Sequence, residues 1–266
     1  MKKIMSYFFV SILLIGLLAA CGTTEKDSTG SSNGSEGNKE AKEKLIMGTS
    51  ADYPPFEFID TAKGSDIIGV DADITKAIAE KLGYELEIRD MDFGGLIQAL
   101  QSGQVDLVAS AMSATDERRK NVDFSEIYYT SKHMIVSKKG SGISKLEDLV
   151  GKKVGAQLGS IQEEKANELT EEVDFTVENR NRVPELIQEI KAGRFDAAII
   201  EDTVAQGFLD KNEDLEGFTI SDADGGYAIA FPKNSELTEE FNSVLKEMIE
   251  NGELDQIIKK WFEGEW

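Results

Sequence analysis

The 266-residue sequence holds one cysteine, Cys21, and one histidine, His133. A single cysteine excludes an intramolecular disulfide. Without a cysteine pair or a histidine pair there is no metal-binding pattern. A Ser/His/Asp constellation would have to spend His133, and nothing around Ser131 resembles a nucleophile elbow. The lone histidine, in SKHMIV, reads as structural. Phosphate-binding signatures are missing as well: there is no P-loop and no GxGxxG, and the glycine pairs at 94–95 and 225–226 are turn material. Positive charge is scarce, with 29 Lys+Arg against 50 Asp+Glu and a formal net charge of −21. That balance argues against nucleic acid and against docking on anionic lipid, and it is compatible with a cationic ligand. Neither a cofactor, a metal nor a catalytic residue is expected; a binding function is.

The N-terminus is informative. Met1-Lys2-Lys3 is basic, Ile4–Leu18 is a short apolar run, and Leu18-Ala19-Ala20-Cys21 is a small-residue cleavage site ending in cysteine. This is a secretory signal, too short for a comfortable membrane span. It resembles a bacterial lipobox, which implies removal of residues 1–20 and lipidation of Cys21; the other reading is a plain signal with a spare thiol. Residues 22–43 are Gly, Ser, Asn and charge, cannot bury a core and read as a flexible linker behind Cys21. Folding is expected from Lys44 onward, over about 220 residues, room for one large or two small domains. No apolar span follows, so the chain is expected to end as a soluble domain.

Strand-like and helix-like segments then alternate. Strands are expected at Leu45–Thr49, Tyr84–Arg89, Val105–Ala109, Met134–Val136, Phe195–Ile200 and Tyr227–Phe231. Helices are expected at Asp71–Leu82, with apolar residues at 74, 77, 78 and 82 and a closing Gly83, and at Gly95–Gln101, Pro184–Lys191, Glu236 to about Met248 and Leu254–Phe262. Such alternation argues an α/β fold with mainly parallel sheets, whose ligands lie beyond the carboxyl ends of the strands. An internal echo supports two similar halves. Leu100, Gly103 and Asp106 recur as Ile190, Gly193 and Asp196, each at an offset of 90. The two strands so aligned end at Ser110-Ala111 and at Ile200-Glu201. Trp261 and Phe262 read as packing residues.

One arginine is out of place. In SATDER (113–118) Thr115 is a good N-cap, and Asp116 and Glu117 suit a first turn, where the helix dipole favours negative charge. Arg118 then falls at the third position, where a cation is disfavoured by about 0.3–1 kcal/mol. The conflict resolves if Arg118 folds back onto a bound anion, since a guanidinium pairs a carboxylate through two parallel hydrogen bonds. The competing reading is a solvated arginine paired to Glu117 or Asp116; Arg119 reads as surface. Across the echo, Glu201-Asp202 ends an apolar strand, and an acid there suits an ammonium or is an ordinary strand-exit acid. Together an arginine and an acid would define an α-amino acid site.

At these residues the chain resembles a family. GTSADYPPFEF (48–58), MDFGGLIQALQSGQVDL (91–107), SATDERRKNVDFS (113–125), LEDLVGKKVGAQLGSIQEE (146–164) and GRFDAAIIEDTVA (193–205) are similar to the amino-acid-binding, type II or Venus flytrap, solute receptors of ABC importers. Within that family the arginine-binding lipoproteins of bacilli are most similar. The resemblance implies two lobes, 44–134 with 228–266 and 135–227, joined by hinge strands near His133–Val136 and Ala223–Ala228. It implies that Arg118 grips the ligand α-carboxylate with the Ser113 N–H, and that Ser160 and the Ile161 N–H approach it from the other lobe. Glu201, or Asp202 beside it, would take the α-amine with the Ala111 carbonyl. Tyr53 and Phe93 would sandwich the side chain, and Ser50, Asp52 and Gln157 would read its tip. The ligand is expected to be arginine, with lysine, histidine or glutamine as further candidates. The partners expected are that amino acid and a membrane permease, with no nucleic acid. The receptor is expected to be a monomer, held on the outer face of the cell membrane of a bacterium without an outer membrane by its lipid alone. The alternatives are a glutamine receptor of the same type, or an enzyme resembling the prephenate and arogenate dehydratases that share the scaffold.

Overall fold

The computed structural model describes residues 43–62, 64–222 and 225–264. The expected signal peptide, Cys21 and nearly all of the linker lie outside the described residues. In chain order the elements are β1 (Lys44–Thr49), β2 (Asp52–Tyr53), β3 (Glu57–Ile59), β4 (Ile67–Ile68), α1 (Val70–Leu82), β5 (Glu85–Asp90), α2 (Leu96–Gln101), β6 (Leu107–Val108), α3 (Asp116–Arg119), β7 (Val122–Phe124) and β8 (Lys132–Lys138). They continue with β9 (Lys153–Gln157), α4 (Ile161–Leu169), β10 (Thr176–Arg180), α5 (Val183–Lys191), β11 (Ala197–Glu201), α6 (Asp202–Lys211), β12 (Leu215–Asp222), β13 (Ala230–Pro232), α7 (Glu236–Glu250) and α8 (Glu253–Glu263).

Two five-stranded sheets organise the chain, in the orders β5-β1-β6-β13-β7 and β10-β9-β11-β8-β12. In the first, β1 runs parallel to β5 and β6, whereas β13 is antiparallel to β6 and β7. In the second, β9 runs parallel to β10 and β11, whereas β8 is antiparallel to β11 and β12. The expected mainly parallel sheets are found: four strands of each sheet run the same way, and one, β13 or β8, runs against them. The reason is topological. Strands that follow a helix crossover arrive from the far side and end at the cleft. β8 and β13 carry the chain back out of the cleft, so they run the opposite way.

The echo of residues 100–108 and 190–198 is a repeated piece of architecture. Gly103 and Gly193 both have φ of 70°, a backbone conformation that side chains disfavour. Asp106 Oδ2 accepts from the Ile46 N–H at 2.8 Å, and Asp196 Oδ2 accepts from the Lys153 N–H at 2.8 Å. Each aspartate N–H donates to the same neighbour's carbonyl, Ile46 at 2.8 Å and Lys153 at 2.9 Å. In both lobes this turn locks a helix end to the strand beside it.

The α1 face buries Ile74, Ile78 and Ala79, and Ala77 and Leu82 pack against the same core. Two expected strands are shorter: 105–109 contracts to Leu107–Val108, and 227–231 to Ala230–Pro232, with Tyr227 bridging singly to Ser113 and Tyr129. Trp261 is buried, and Phe262, 37% exposed, packs on Phe56 and Tyr129. His133 is buried in β8, opposite Glu201. Among the described residues no helix is long and apolar enough to cross a membrane.

Candidate functional site

The carboxyl ends of β1, β6, β9 and β11 converge between the lobes. There a small, partly open cavity lies, with about 310 Å³ free of protein atoms including space open to solvent. Ser50, Tyr53, Phe93, Ala111, Ser113 and Arg118 line it from one lobe, and Gln157, Ser160 and Ile161 from the other. Nine of the residues singled out from the sequence are thus brought to one place.

Arg118 is the third residue of α3, behind Thr115, whose hydroxyl accepts from the Arg118 N–H at 3.3 Å. Its side chain turns inward and is 8% exposed. Nη1 donates to the Ser113 carbonyl at 2.9 Å, and Nη2 crosses the cleft to the Gly159 carbonyl at 3.0 Å. The guanidinium stands 5.4 Å from the Phe93 ring. Glu117 instead pairs with Lys120. Among the described residues no carboxylate lies within ion-pair distance of Arg118. Burial pulls its pKa down, with Glu164 and Tyr227 opposing. Arg119 is exposed, donates to the Ala114 carbonyl at 3.1 Å and lies 5.3 Å from the Phe124 ring.

Facing Arg118 is the start of α4. Ser160 is its N-cap and accepts from the Glu163 N–H at 3.2 Å, so Ile161 and Gln162 present their first-turn N–H groups toward the cavity. A helix start beside a buried guanidinium is an anion site.

Acids gather at the other end. Glu201 closes β11, caps α6 by accepting from the Val204 N–H at 2.7 Å, and is fully buried. Its Oε1 has no hydrogen-bond partner. Burial raises its pKa to about 8; the Val204 N–H opposes this, and nearby Asp202 adds to it. Glu201 is not in the cavity wall itself but stands directly behind it. Its charge, after burial, pushes the Tyr53 and Tyr227 hydroxyls well up. Asp202 is committed elsewhere, accepting from the Lys132 N–H at 2.9 Å. Asp52 also turns out of the cavity: it accepts from the Val183 N–H at 2.7 Å and the Ser50 hydroxyl at 2.7 Å.

Three wall residues escaped the sequence reading, Glu57, Gln162 and Tyr227, and Ser110 entered it only as a strand end near which a ligand was expected. Glu57 was within reach, inside the YPPFEF stretch. Ser50 N–H donates to Ser110 Oγ at 2.9 Å, and Ser110 donates to Glu57 Oε1 at 3.0 Å. Burial, and then Asp71, hold the Glu57 pKa well above the carboxylate range. Asp71, pushed up to about 6 by burial, accepts from the Ala111 N–H at 2.7 Å and the Tyr128 hydroxyl at 2.8 Å. Ala111 has φ of 43°, strained for a side chain, and Asp71 holds it there.

This is a two-lobed α/β protein whose small inter-lobe cavity is lined by a buried arginine, a helix start and a buried acid. The sequence profile of the bacterial extracellular solute-binding proteins, family 3, matches residues 45–264. The chain is 58% identical over 255 residues to the arginine-binding extracellular protein ArtP of Bacillus subtilis, covering 95% of this chain and 98% of that one. An ancestral arginine-binding protein solved with arginine is 41% identical with a TM-score of 0.77, covering 83% of this chain and 99% of that one. The same kind of protein solved with glutamine is 41% identical with a TM-score of 0.78, covering 84% and 99%. The chain belongs to family 3 of the bacterial extracellular solute-binding proteins. That family binds solutes for transport, which ends the dehydratase alternative.

Proposed function

We propose that this chain is the lipid-anchored substrate receptor of an amino acid ABC importer, closing on a basic L-amino acid, arginine foremost, and presenting it to a membrane permease. One observation carries the reading: a buried guanidinium, with no carboxylate partner among the described residues, lines the same small cavity as the buried acid Glu57. An unpaired buried charge is costly. The ligand carboxylate supplies the missing partner for Arg118, together with the first-turn N–H groups of α4. The ligand ammonium supplies the missing partner of Glu201 Oε1, with the Ala111 carbonyl beside it. The inner placement of Glu201, and the prior engagement of Asp202, favour Glu201 for this role. Tyr53 and Phe93 suit a planar cation by stacking and cation–π attraction. Glu57 replaces Asp52 as the acid that meets the ligand tip.

The lobe limits of this reading are 44–134 with 228–266 and 135–227, and the hinges lie where β8 and β13 leave the cleft. Membership of the family, together with ligand-bound relatives, supports the amino acid class; the ArtP similarity supports arginine. A second reading, glutamine, has its own observation: burial holds the Glu57 carboxyl well above the carboxylate range, which weakens its pull on a cation and suits an amide beside Gln157 and Gln162. Isothermal calorimetry against arginine, lysine, histidine and glutamine decides between them. Arginine is expected to bind at least tenfold more tightly than glutamine; the reverse order would overturn the arginine assignment and leave the receptor class standing.

A further inference from the structure

Beside the cavity, but outside its wall, one side chain joins the lobes. Arg182 precedes α5 at the end of β10 in the second lobe, and its guanidinium reaches into acids of the first. Nη1 donates to Asp90 Oδ1 at 2.7 Å, Nη2 to Asp90 Oδ2 at 3.3 Å and Nε to Asp92 Oδ1 at 3.0 Å. Nη1 also donates to Ser50 Oγ at 3.3 Å and lies 3.5 Å from Asp52 Oδ1. Its neighbours make the same crossing. Asn181 Nδ2 donates to Asp92 Oδ2 at 2.9 Å, and the Val183 N–H donates to Asp52 Oδ2 at 2.7 Å.

Arg182 does not line the cavity, yet its contacts sit at the cavity's rim. Ser50 is a wall residue, and Asp92 leads directly into Phe93, another. Three aspartates on one rim repel one another when the lobes part, and a single guanidinium offsets part of that repulsion when the lobes meet. An isolated exposed pair contributes little, but a bidentate arginine within a network of charges contributes more. The Arg182 side chain is 22% exposed and that of Asp52 is 10%, while Asp90 and Asp92 are 39% and 53% exposed, so solvent screens the outer half of the cluster and less of the inner.

We propose that Arg182 is an electrostatic clasp, a positioning residue that holds Ser50 and Asp52 at the closed rim and so lengthens the residence of the amino acid between the lobes. It touches no ligand atom. It acts because ligand escape requires the lobes to part, and parting breaks the Arg182 contacts first. The clasp rests on the reading of the chain as a closing amino acid receptor. Its signature is kinetic and salt-dependent, since it adds contacts to the closed state alone and charges at a rim are screened within about 8–10 Å at ordinary ionic strength.

The test is stopped-flow dissociation of arginine from the full chain, wild type against Arg182→Gln, at 0.05 and 0.5 M sodium chloride. The substitution is expected to speed dissociation about tenfold at low salt and to leave the association rate within about twofold. Added salt should speed dissociation from the wild type and have little effect on the variant. Arg182→Lys should restore part of the effect, and Asp90→Asn should add little in the Arg182→Gln background. An unchanged dissociation rate, or an unchanged salt dependence, overturns the clasp while arginine binding stands. If the wild type binds none of the amino acids, the proposed function fails by itself. The clasp is then judged by hydrogen exchange of the ligand-free chain: the Val183 amide is expected to exchange about tenfold faster in Arg182→Gln, and equal exchange overturns it.

Discussion

Arg118 and Glu201 are opposite halves of one electrostatic problem. Both are buried; among the described residues Arg118 has no carboxylate partner, and Glu201 keeps its proton until an ammonium arrives, so each loses most when the ligand bond is removed. Arg118→Ala is expected to weaken arginine binding about 10²–10⁴-fold, the loss of two charge-assisted hydrogen bonds at about 1.5–3 kcal/mol each. Thermal unfolding of the ligand-free variant should stay cooperative, because Thr115 caps α3 through a backbone N–H. Glu201 makes a pH prediction. It titrates at about 8 when folded against 4.5 unperturbed. Between those values the folded chain binds a proton that the unfolded chain has lost. Its contribution to ligand-free stability therefore falls as pH rises from about 4.5 to about 8. An ammonium beside Oε1 reverses the balance, so binding near pH 7 should release about one proton from this group. Calorimetry in buffers of different ionisation enthalpy measures it. Glu201→Gln keeps an oxygen for the Val204 N–H, and is expected to abolish that release and to weaken binding about 10²-fold.

The element that most repays attention is the turn used twice, once per lobe. Asp106→Ala removes the acceptor of the Ile46 N–H, at a cost of about 1–3 kcal/mol, and Asp196→Ala removes that of Lys153. The second site is more exposed, so water replaces its acceptor and the loss should be smaller. Denaturant unfolding of both variants is expected to rank Asp106 above Asp196, with nearly additive losses in the double variant. Elements also show where the sequence was readable. α1, α5 and α7 carry an apolar stripe that announces both helix and buried face. α4 is IQEEKANEL, too polar to show a period, yet its first turn supplies the cavity wall. α6 begins directly at Glu201, with no linker to mark the change from strand to helix. β2, β3 and β4 are two or three residues long, shorter than any repeat that a pattern can show.

Closure belongs to the whole molecule. Gly159 lies against Gly94 across the cleft, and a methyl on Gly159 would come within 2.9 Å of Gly94 Cα. Gly159→Ala is expected to hold the lobes apart and to weaken arginine binding about tenfold, by reducing the population able to close. Small-angle scattering should show the radius of gyration falling on addition of arginine in the wild type and falling less in this variant. Arg182 and Gly159 both favour closure at the same rim, one by attraction and the other by leaving room.

What the sequence determined by itself was local or periodic: the alternation of strands and helices, the repeated turn at Gly103 and Gly193, the misplaced charge of Arg118 and the strand-end acid Glu201. Those follow from backbone preference, from apolar spacing and from a charge that opposes its helix. Only the tertiary structure decided how the acids divide their tasks. Asp52 and Glu57 lie five residues apart, yet one turns to the Val183 N–H of the other lobe and the other lines the cavity beside Ser110 and Asp71. Asp202 follows Glu201 directly and ties down Lys132 instead. A carboxylate near another in sequence has the same chemistry and nearly the same intrinsic pKa. Its partner, its burial and hence its charge are set by residues tens of positions away, which meet it only once the two lobes are folded and closed.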